Sequence, residues 1–478
     1  MIIKEIPYHD PVLLFETFRD RPFSFFLDSG MDAGRLGRYS FMGSDPFLVF
    51  KSKRDLVATW QNGAWHERKG DLFTVLRELL NRCHAVPVPS LPVPVAAGAF
   101  GYFAYDLGWQ IEKLPDKAVD DLGVPDCYLG FYDRLIVFDH LAGKAYLTST
   151  GLSGDGAPST AWARERMEEL EYLVAPCRRE IRDRVEPFEE IPPPRFSCHF
   201  TLETYCEAVQ KVKDYIAAGD IFQANFTQRF SCPLSVSPWT LYRRLRSINP
   251  APFAAYLSYP ELVVASASPE RFLQVRNGMV ETRPIKGTRP RGKDPSEDLR
   301  LRTELLNSAK DRAELTMIID LERNDIGRVC SFGSVHVPEL IVLEEYPTVF
   351  HLVSTVRGTL APGRDLVDLL KATFPGGSIT GAPKIRAMEI IEELEPVKRG
   401  VYTGSIGYLG FDGSADLSIV IRTFIIKDGR AYFQVGGGIV ADSDPEMEYW
   451  ETIHKGRALM QALGCRKEAI PECLGLPG

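Results

Sequence analysis

The first third of the chain shows little clean alternation of apolar and polar positions. Its apolar residues come in short continuous runs, rich in aromatics and bounded by glycine: PFSFFLDSG (22–30), GRYSFMG (37–43), AAGAFGYFAYDLG (96–108) and LGFYDRLIVFDH (129–140). Such runs between turn formers predict short strands. A turn-rich break, TSTGLSGDGAPST (148–160), precedes a charged helix at 160–174. EPFEEIPPPRF (186–196), with three consecutive prolines, reads as an extended linker. These breaks suggest an N-terminal region 1–150, a linker with helix 151–194 and a C-terminal domain 195–465.

Beyond the linker the periods are clearer. Tyr205, Val209, Val212 and Ile216 recur at helical spacing until Gly219 stops the pattern. In IFQANFTQRF (221–230) the period becomes two, with Phe222, Ala224 and Phe226 opposite Gln223, Asn225 and Thr227. That strand either lines a cavity with its polar face or lies at a wetted edge. Further strands are predicted at 262–267, 271–276, 404–411, 417–427 and 431–438, and helices at 296–323, 384–395 and 445–462. The pattern is α+β, with helices set among antiparallel strands, and no internal repeat is present.

Composition narrows the class. The chain has 478 residues, enough for two domains or one composite domain, with 45% apolar and 25% charged residues, as in a soluble globular protein. A formal charge of −8 argues against a binder of nucleic acid or anionic membrane. Nine cysteines, an odd number without a CxxC pair, suggest reduced thiols and a cytoplasmic setting. The N-terminus lacks the basic start and apolar run of a signal peptide, and no stretch of about 18 apolar residues is present.

Five places could carry chemistry. Glu448, Glu451 and Lys455 share one face of the helix from 445. Two carboxylates at that spacing could hold Mg²⁺, or Glu451 and Lys455 could simply pair on the surface. The preceding VGGGIV lets backbone N–H groups approach a ligand. Glu314 borders an apolar helical stretch and is either partnered or a plain surface glutamate. FPGGSITGAPK (374–384) feeds a helix start, where an anion or an ordinary cap is served. Arg422, in LSIVIRTFII, calls for an anionic partner from protein or ligand. Finally, RPIKGTRPRG (283–292) surrounds Lys286 with Arg283, Arg289 and Arg291. A lysine is a nucleophile only as the neutral amine, and both nearby cations and burial favour that form. The plainer reading is a basic loop that clamps phosphate or faces water. A Schiff-base lysine is a further reading, although the barrel pattern of aldolases is missing.

In order along the chain, SPERF, RPIKGTRPRG, DLERNDIGRVC, HLVSTVRG, FPGGSITGAPK, SIVIRT, GGGIV and the E-x-x-E-x-x-x-K helix resemble the chorismate-utilising enzymes. The likeness covers nearly the whole chain. LDSG…GRYSFMG and GAFGYFAYD resemble the amino-transferring members. The family's anthranilate synthases carry a small residue in the third place of P-I-x-G-T, and its aminodeoxychorismate synthases carry lysine. Lys286 therefore resembles the second branch, a transferase of folate and 4-aminobenzoate synthesis, with an anthranilate synthase large subunit as the alternative.

The resemblance implies an antiparallel sandwich with flanking helices and assigns roles. Lys286 is the covalent nucleophile at C2 of chorismate, and Glu270 is the acid that protonates the departing C4 hydroxyl. Glu314, Glu448 and Glu451 hold Mg²⁺. Tyr402, Arg422, Gly436, Gly438 and Lys455 bind substrate carboxylates, while Thr288, His351 and Ser378 line the pocket. Branches that activate water place a lysine on the strand equivalent to 221–230, where this chain has Gln223 and Asn225. No glutaminase signature is present, which implies a separate glutaminase subunit as the ammonia source. Leu27–Ser29 falls where related large subunits bind tryptophan, but departs from their L-L-E-S sequence.

Overall fold

The computed structural model describes residues 1–84, 91–153, 157–175, 191–346 and 349–474. Part of the linker expected at 186–196, and the last four residues, lie outside that range. Two large antiparallel sheets form the body, each of twelve strands among the described residues. One runs from Ile2–Ile6 through Tyr39–Gly43, Phe25–Asp28, Phe253–Ser258, Val263–Ser268, Thr423–Lys427 and Arg430–Ile439 to Gln223–Pro233. The other runs from Ile285–Pro290 through Val349–Thr359, Arg271–Arg276, Ala415–Ile419, Ser405–Gly410 and Gly98–Phe103 to Ala64–Lys69.

The sheets pack face to face, which explains the missing alternation at the start of the chain. Gly98–Phe103, Cys127–Tyr132 and Arg134–Asp139 are buried at every position. One face of each meets the opposite sheet and the other meets a second apolar layer, so both faces must be apolar. Between the sheets Phe25 stacks on Phe100 with ring centroids 4.4 Å apart, and Phe41 meets Tyr408 at 5.3 Å. Such pairs add about 0.5–1.5 kcal/mol each beyond area burial. Helices Leu202–Ala217, Pro238–Ile248 and Pro445–Ala462 cover the outer face of the first sheet. Helices Leu72–Arg82, Ala309–Gly327 and Leu366–Thr373 cover that of the second.

Both sheets cross the boundary placed near 194. Phe25–Asp28 pairs with Phe253–Ser258, and Gly98–Phe103 with Ser405–Gly410, so main-chain ladders join the two sequence regions.

Two expected elements are divided. The single helix read at 296–323 is two, Pro295–Asn307 and Ala309–Gly327. Ser308 takes an extended conformation between them, and its hydroxyl accepts the Asp311 N–H as an N-cap. Apolar periodicity does not register a serine whose oxygen competes with the helix ladder. Ser308→Ala is expected to cost about 0.5–2 kcal/mol of stability; an unchanged denaturation midpoint would remove the cap from the account.

The strand read at 417–427 is also two, Ala415–Ile419 in the second sheet and Thr423–Lys427 in the first. The chain changes sheet through Val420–Arg422, and Arg422 adopts φ +52° to make the turn. A second crossing, in the opposite direction, joins Val263–Ser268 to Arg271–Arg276 through Pro269 and Glu270. The crossings lie side by side. The Ala267 N–H donates to the Arg422 carbonyl (3.1 Å), the Ile419 N–H to the Glu270 carbonyl (3.0 Å), and the Ser268 hydroxyl to the Ile419 carbonyl (2.6 Å). This pair of crossings carries Glu270 and Arg422 to the same edge of the sandwich.

Candidate active site

Lys286 lies on Ile285–Pro290, where a bulge shifts the register between Lys286 and Thr288. Gly287, at φ +77°, makes the bulge, and a Cβ there would meet Asp311 and Leu305 at 2.9 Å. The basic run is dispersed in the fold. Arg283 pairs with Glu344 at 2.8 Å, Arg289 with Glu304 at 2.7 Å and Arg291 with Asp298 at 2.6 Å. Lys286 has no ion-pair partner among the described residues. The arginines therefore do not depress its pKa, contrary to the sequence reading. Burial of the amine lowers it first, helped by Lys455 and opposed by Glu314, Glu270 and Glu451. The side chain stays partly open, while protein atoms crowd the amine itself.

Glu270 is 6% exposed and its carboxyl is pushed up to about 7 by burial. The Ser378 hydroxyl, the Lys286 charge and the Ile285 N–H favour the carboxylate, but burial outweighs them. Ser378 sits in the turn Gly377–Ile379, where its carbonyl accepts from Asn225 Nδ2 at 3.0 Å. His351 lies opposite Thr288 in the ladder, and Thr288 Oγ1 and His351 Nδ1 are 2.8 Å apart. Burial first, then Arg422, lowers the imidazole to about 3, so the ring stays neutral.

Arg422 has no carboxylate partner among the described residues. Its guanidinium donates to Asn249 Oδ1 at 3.2 Å, and burial lowers its pKa. A desolvated guanidinium bonded only to a neutral amide can still bind an anion. Tyr402 is buried, and its phenol is pushed upward by burial, so it remains neutral.

The strand Arg430–Ile439 supplies the floor. Asn225 pairs with Gly438 and Thr227 with Gly436. The strand read as cavity-lining or edge is internal, and Gln223 is 2% exposed. Its Nε2 is 1.8 Å from where a Cβ on Gly438 would stand, with Lys286 Nζ 3.5 Å from the same point. Gln223 Oε1 has no hydrogen-bond partner among the described residues. Phe222 departs from the sequence reading: it is 71% exposed, while Ala224 and Phe226 enter the core. Gly438→Ala would force Gln223 aside next to the Lys286 amine and is expected to lower kcat/KM by about 10²-fold, the scale of an ångström-sized misplacement. Wild-type kinetics in a folded variant would contradict this.

Glu451 lies within electrostatic reach of both Glu314 and Glu448, but the three do not form a ligand shell. Among the described residues no three acidic, His or Cys side chains are gathered closely enough to hold a metal. Glu448 accepts from the Ser443 hydroxyl at 2.6 Å. Glu451 forms the plain surface pair with Lys455 at 2.7 Å, and Lys455 also donates to the Gly436 carbonyl at 3.0 Å. Burial raises the Glu314 and Glu448 carboxyls, whereas Lys455 lowers that of Glu451. The set is oxygen-only and includes two carboxyls, Glu314 and Glu448, with no ion-pair partner among the described residues, a chemistry that suits a hard divalent cation.

Sequence reasoning missed the supports. Arg399, 1% exposed at its side chain, bonds Glu395 at 2.7 Å and donates to the carbonyls of Ile379 (3.0 Å) and Asn225 (2.5 Å). Glu395 in turn accepts the Thr227 N–H at 2.9 Å. Only the i, i+4 spacing of Glu395 and Arg399 was a readable signal. Glu322 is buried too, bonded to Thr282 at 3.0 Å, with its carboxyl driven upward by burial and then by Glu270. Leu27, Asp28 and Ser29 line a separate cavity of about 440 Å³. Asp28 is already held there by Tyr242 and Arg246.

Residues 34–461 match the family model described as chorismate binding enzyme. The chain is 44% identical over 452 residues to anthranilate synthase component 1 of Thermus thermophilus, covering 92% of each. It is 39% identical over 440 residues to aminodeoxychorismate synthase component 1 of Bacillus subtilis, again covering 92% of each. The crystal structure of anthranilate synthase component I from Streptococcus pneumoniae superposes with a TM-score of 0.78 at 35% identity, covering 88% of this chain and 92% of that one.

Proposed function

The chain belongs to the chorismate-binding enzymes, and on that premise we propose that it aminates chorismate at C4 and leaves the pyruvyl ether in place. The observation that carries the reading is Lys286: a buried amine without an ion-pair partner, its pKa lowered, in the field of an acid near 7.

In this reading the neutral Lys286 amine bonds to ring carbon C2. Both ring double bonds shift, to C1=C6 and C4=C5, the C4–O bond breaks, and the hydroxyl leaves as water with the proton of Glu270. Ammonia then bonds to C4, both double bonds shift back and the C2–N bond breaks. Lys286 departs as a neutral amine, and the surplus ammonia proton returns to Glu270. Arg422, Tyr402, Lys455 and the Gly436–Gly438 backbone bind the carboxylates. Neutral His351 and Thr288 present a surface without charge. Gln223 offers an amide where water activation would need a base.

Glu314, Glu448 and Glu451 would hold Mg²⁺, with waters completing its shell, and the ion would neutralise a ring carboxylate. The relatives named component 1 imply a further component in those proteins. For this chain we take a separate glutaminase subunit as the ammonia source.

The second reading is amination at C2 with loss of pyruvate, favoured by the equal closeness of relatives named anthranilate synthase. Product mass decides between them. The chain, incubated with chorismate, Mg²⁺ and ammonium at mildly alkaline pH, is expected to yield an aminated product that retains the pyruvyl group. Anthranilate and pyruvate would establish the second reading.

A further inference from the structure

Arg422 is held under constraint from both its backbone and its side chain. Its φ of +52° is a left-handed conformation that glycine adopts freely and an arginine only where the surrounding structure enforces it. Its guanidinium is desolvated. The sequence asks for an anionic partner, and the protein supplies an amide instead. Nη1 donates to Asn249 Oδ1 at 3.2 Å, the one side-chain hydrogen bond of this guanidinium among the described residues.

Both ends of the Asn249 amide are in use. Asn249 closes the helix Pro238–Ile248, where its backbone N–H donates to the Leu245 carbonyl at 2.8 Å. Its Nδ2 donates to the Ala267 carbonyl at 3.3 Å, and the Ala267 N–H donates to the Arg422 carbonyl at 3.1 Å. The amide thus spans the two sheet crossings. Its nitrogen holds the strand that leads into Glu270, and its oxygen holds the arginine of the other crossing. The amide cannot be turned over at no cost. Exchange of its two ends would set an NH₂ against the guanidinium and an oxygen against a carbonyl.

We propose that Asn249 is a positioning residue for Arg422, its amide oxygen aiming the guanidinium at a substrate carboxylate without neutralising it. A carboxylate in its place would pair with the arginine and compete with the substrate. A neutral acceptor orders a long, freely rotating side chain in advance and leaves its charge for the ligand, so less ordering remains when the anion binds. The other N–H donors of the guanidinium stay available for that anion. The Arg422 charge acts on His351, which pairs with Thr288 beside Lys286, so the guanidinium is turned toward the pocket. The inference rests on the reading of Arg422 as a carboxylate binder, and it holds for amination at C4 or at C2.

Steady-state kinetics of the intact chain with chorismate, Mg²⁺ and ammonium tests it. Asn249→Ala keeps the backbone bond to Leu245 and removes only the amide. It is expected to raise KM for chorismate about tenfold, the scale of one hydrogen bond to a charged group, with kcat changed by about twofold at most. Arg422→Gln should raise KM as well, and adding Asn249→Ala to it should change little, because no guanidinium is left to aim. Should the alanine variant fail to fold, Asn249→Ser, one bond shorter than asparagine, should give the same split between KM and kcat. Unchanged KM in the folded single variant, a loss in kcat alone, or the same rise in KM with and without Arg422 would overturn the proposal. Unchanged KM in Arg422→Gln would overturn the carboxylate-binding reading itself, and this proposal with it.

Discussion

Lys286→Ala is expected to lower the amination of chorismate by about 10³-fold or more, the scale of removing a covalent nucleophile that acts with other groups. The fold should survive. Ile285–Pro290 is held by its ladder to Val349–Thr359, and Lys286 takes part in no ion pair among the described residues. Removing it also relieves a desolvated amine, so stability should hold or rise slightly. Substrate binding should change far less than turnover, because Arg422, Tyr402 and Lys455 are untouched. Mass spectrometry of the wild-type chain stopped during turnover should place the ring on Lys286. An alanine variant with near-normal turnover would dismiss the covalent role.

Glu270→Gln should lower turnover by about 10²–10⁴-fold, the usual contribution of a positioned acid. Glutamine preserves the size, and its carbonyl can still accept from Ser378 and the Ile285 N–H, but it has no acidic proton. The pH dependence gives a sharper signature. Glu270 must be protonated to serve the leaving hydroxyl, and burial places its carboxyl at about 7. Turnover should therefore fall as pH rises through about 7. Lys286 must be neutral, so turnover should also fall on the acid side, below a lysine pKa that burial has lowered. A bell-shaped profile results, and its alkaline limb should vanish in Glu270→Gln. A wild-type profile flat above neutrality would remove Glu270 from the acid's role.

Much of the site was legible because its signals are local. Glu448, Glu451 and Lys455 share a face of Pro445–Ala462 through helical periodicity alone, and Asp444 caps that helix. Gly436 and Gly438 announced a close approach, and Gly438 has Gln223 pressed against it. The polar face of Gln223–Pro233 was read directly from its period of two. What that face met was not readable. Whether a polar strand face meets water or a cavity depends on its neighbours, Arg430–Ile439 and Gly381–Ala382, roughly 160–210 residues further along the chain.

By itself, the sequence determined the local elements, the ordered motifs and the family they resemble. Caps, periodicity and turn residues act within a few residues and need no knowledge of the rest of the chain. Tertiary structure decided the electrostatics. The arginines around Lys286 seemed to form one basic crowd, yet each is neutralised by a carboxylate from another element, from Glu344 to Glu304 and Asp298. The lysine is left to be governed by burial. Glu270 and Arg422, about 150 residues apart, meet because the chain changes sheet twice at the same edge. Charge pairing and desolvation depend on what the fold brings within a few ångströms, and no linear pattern records those distances.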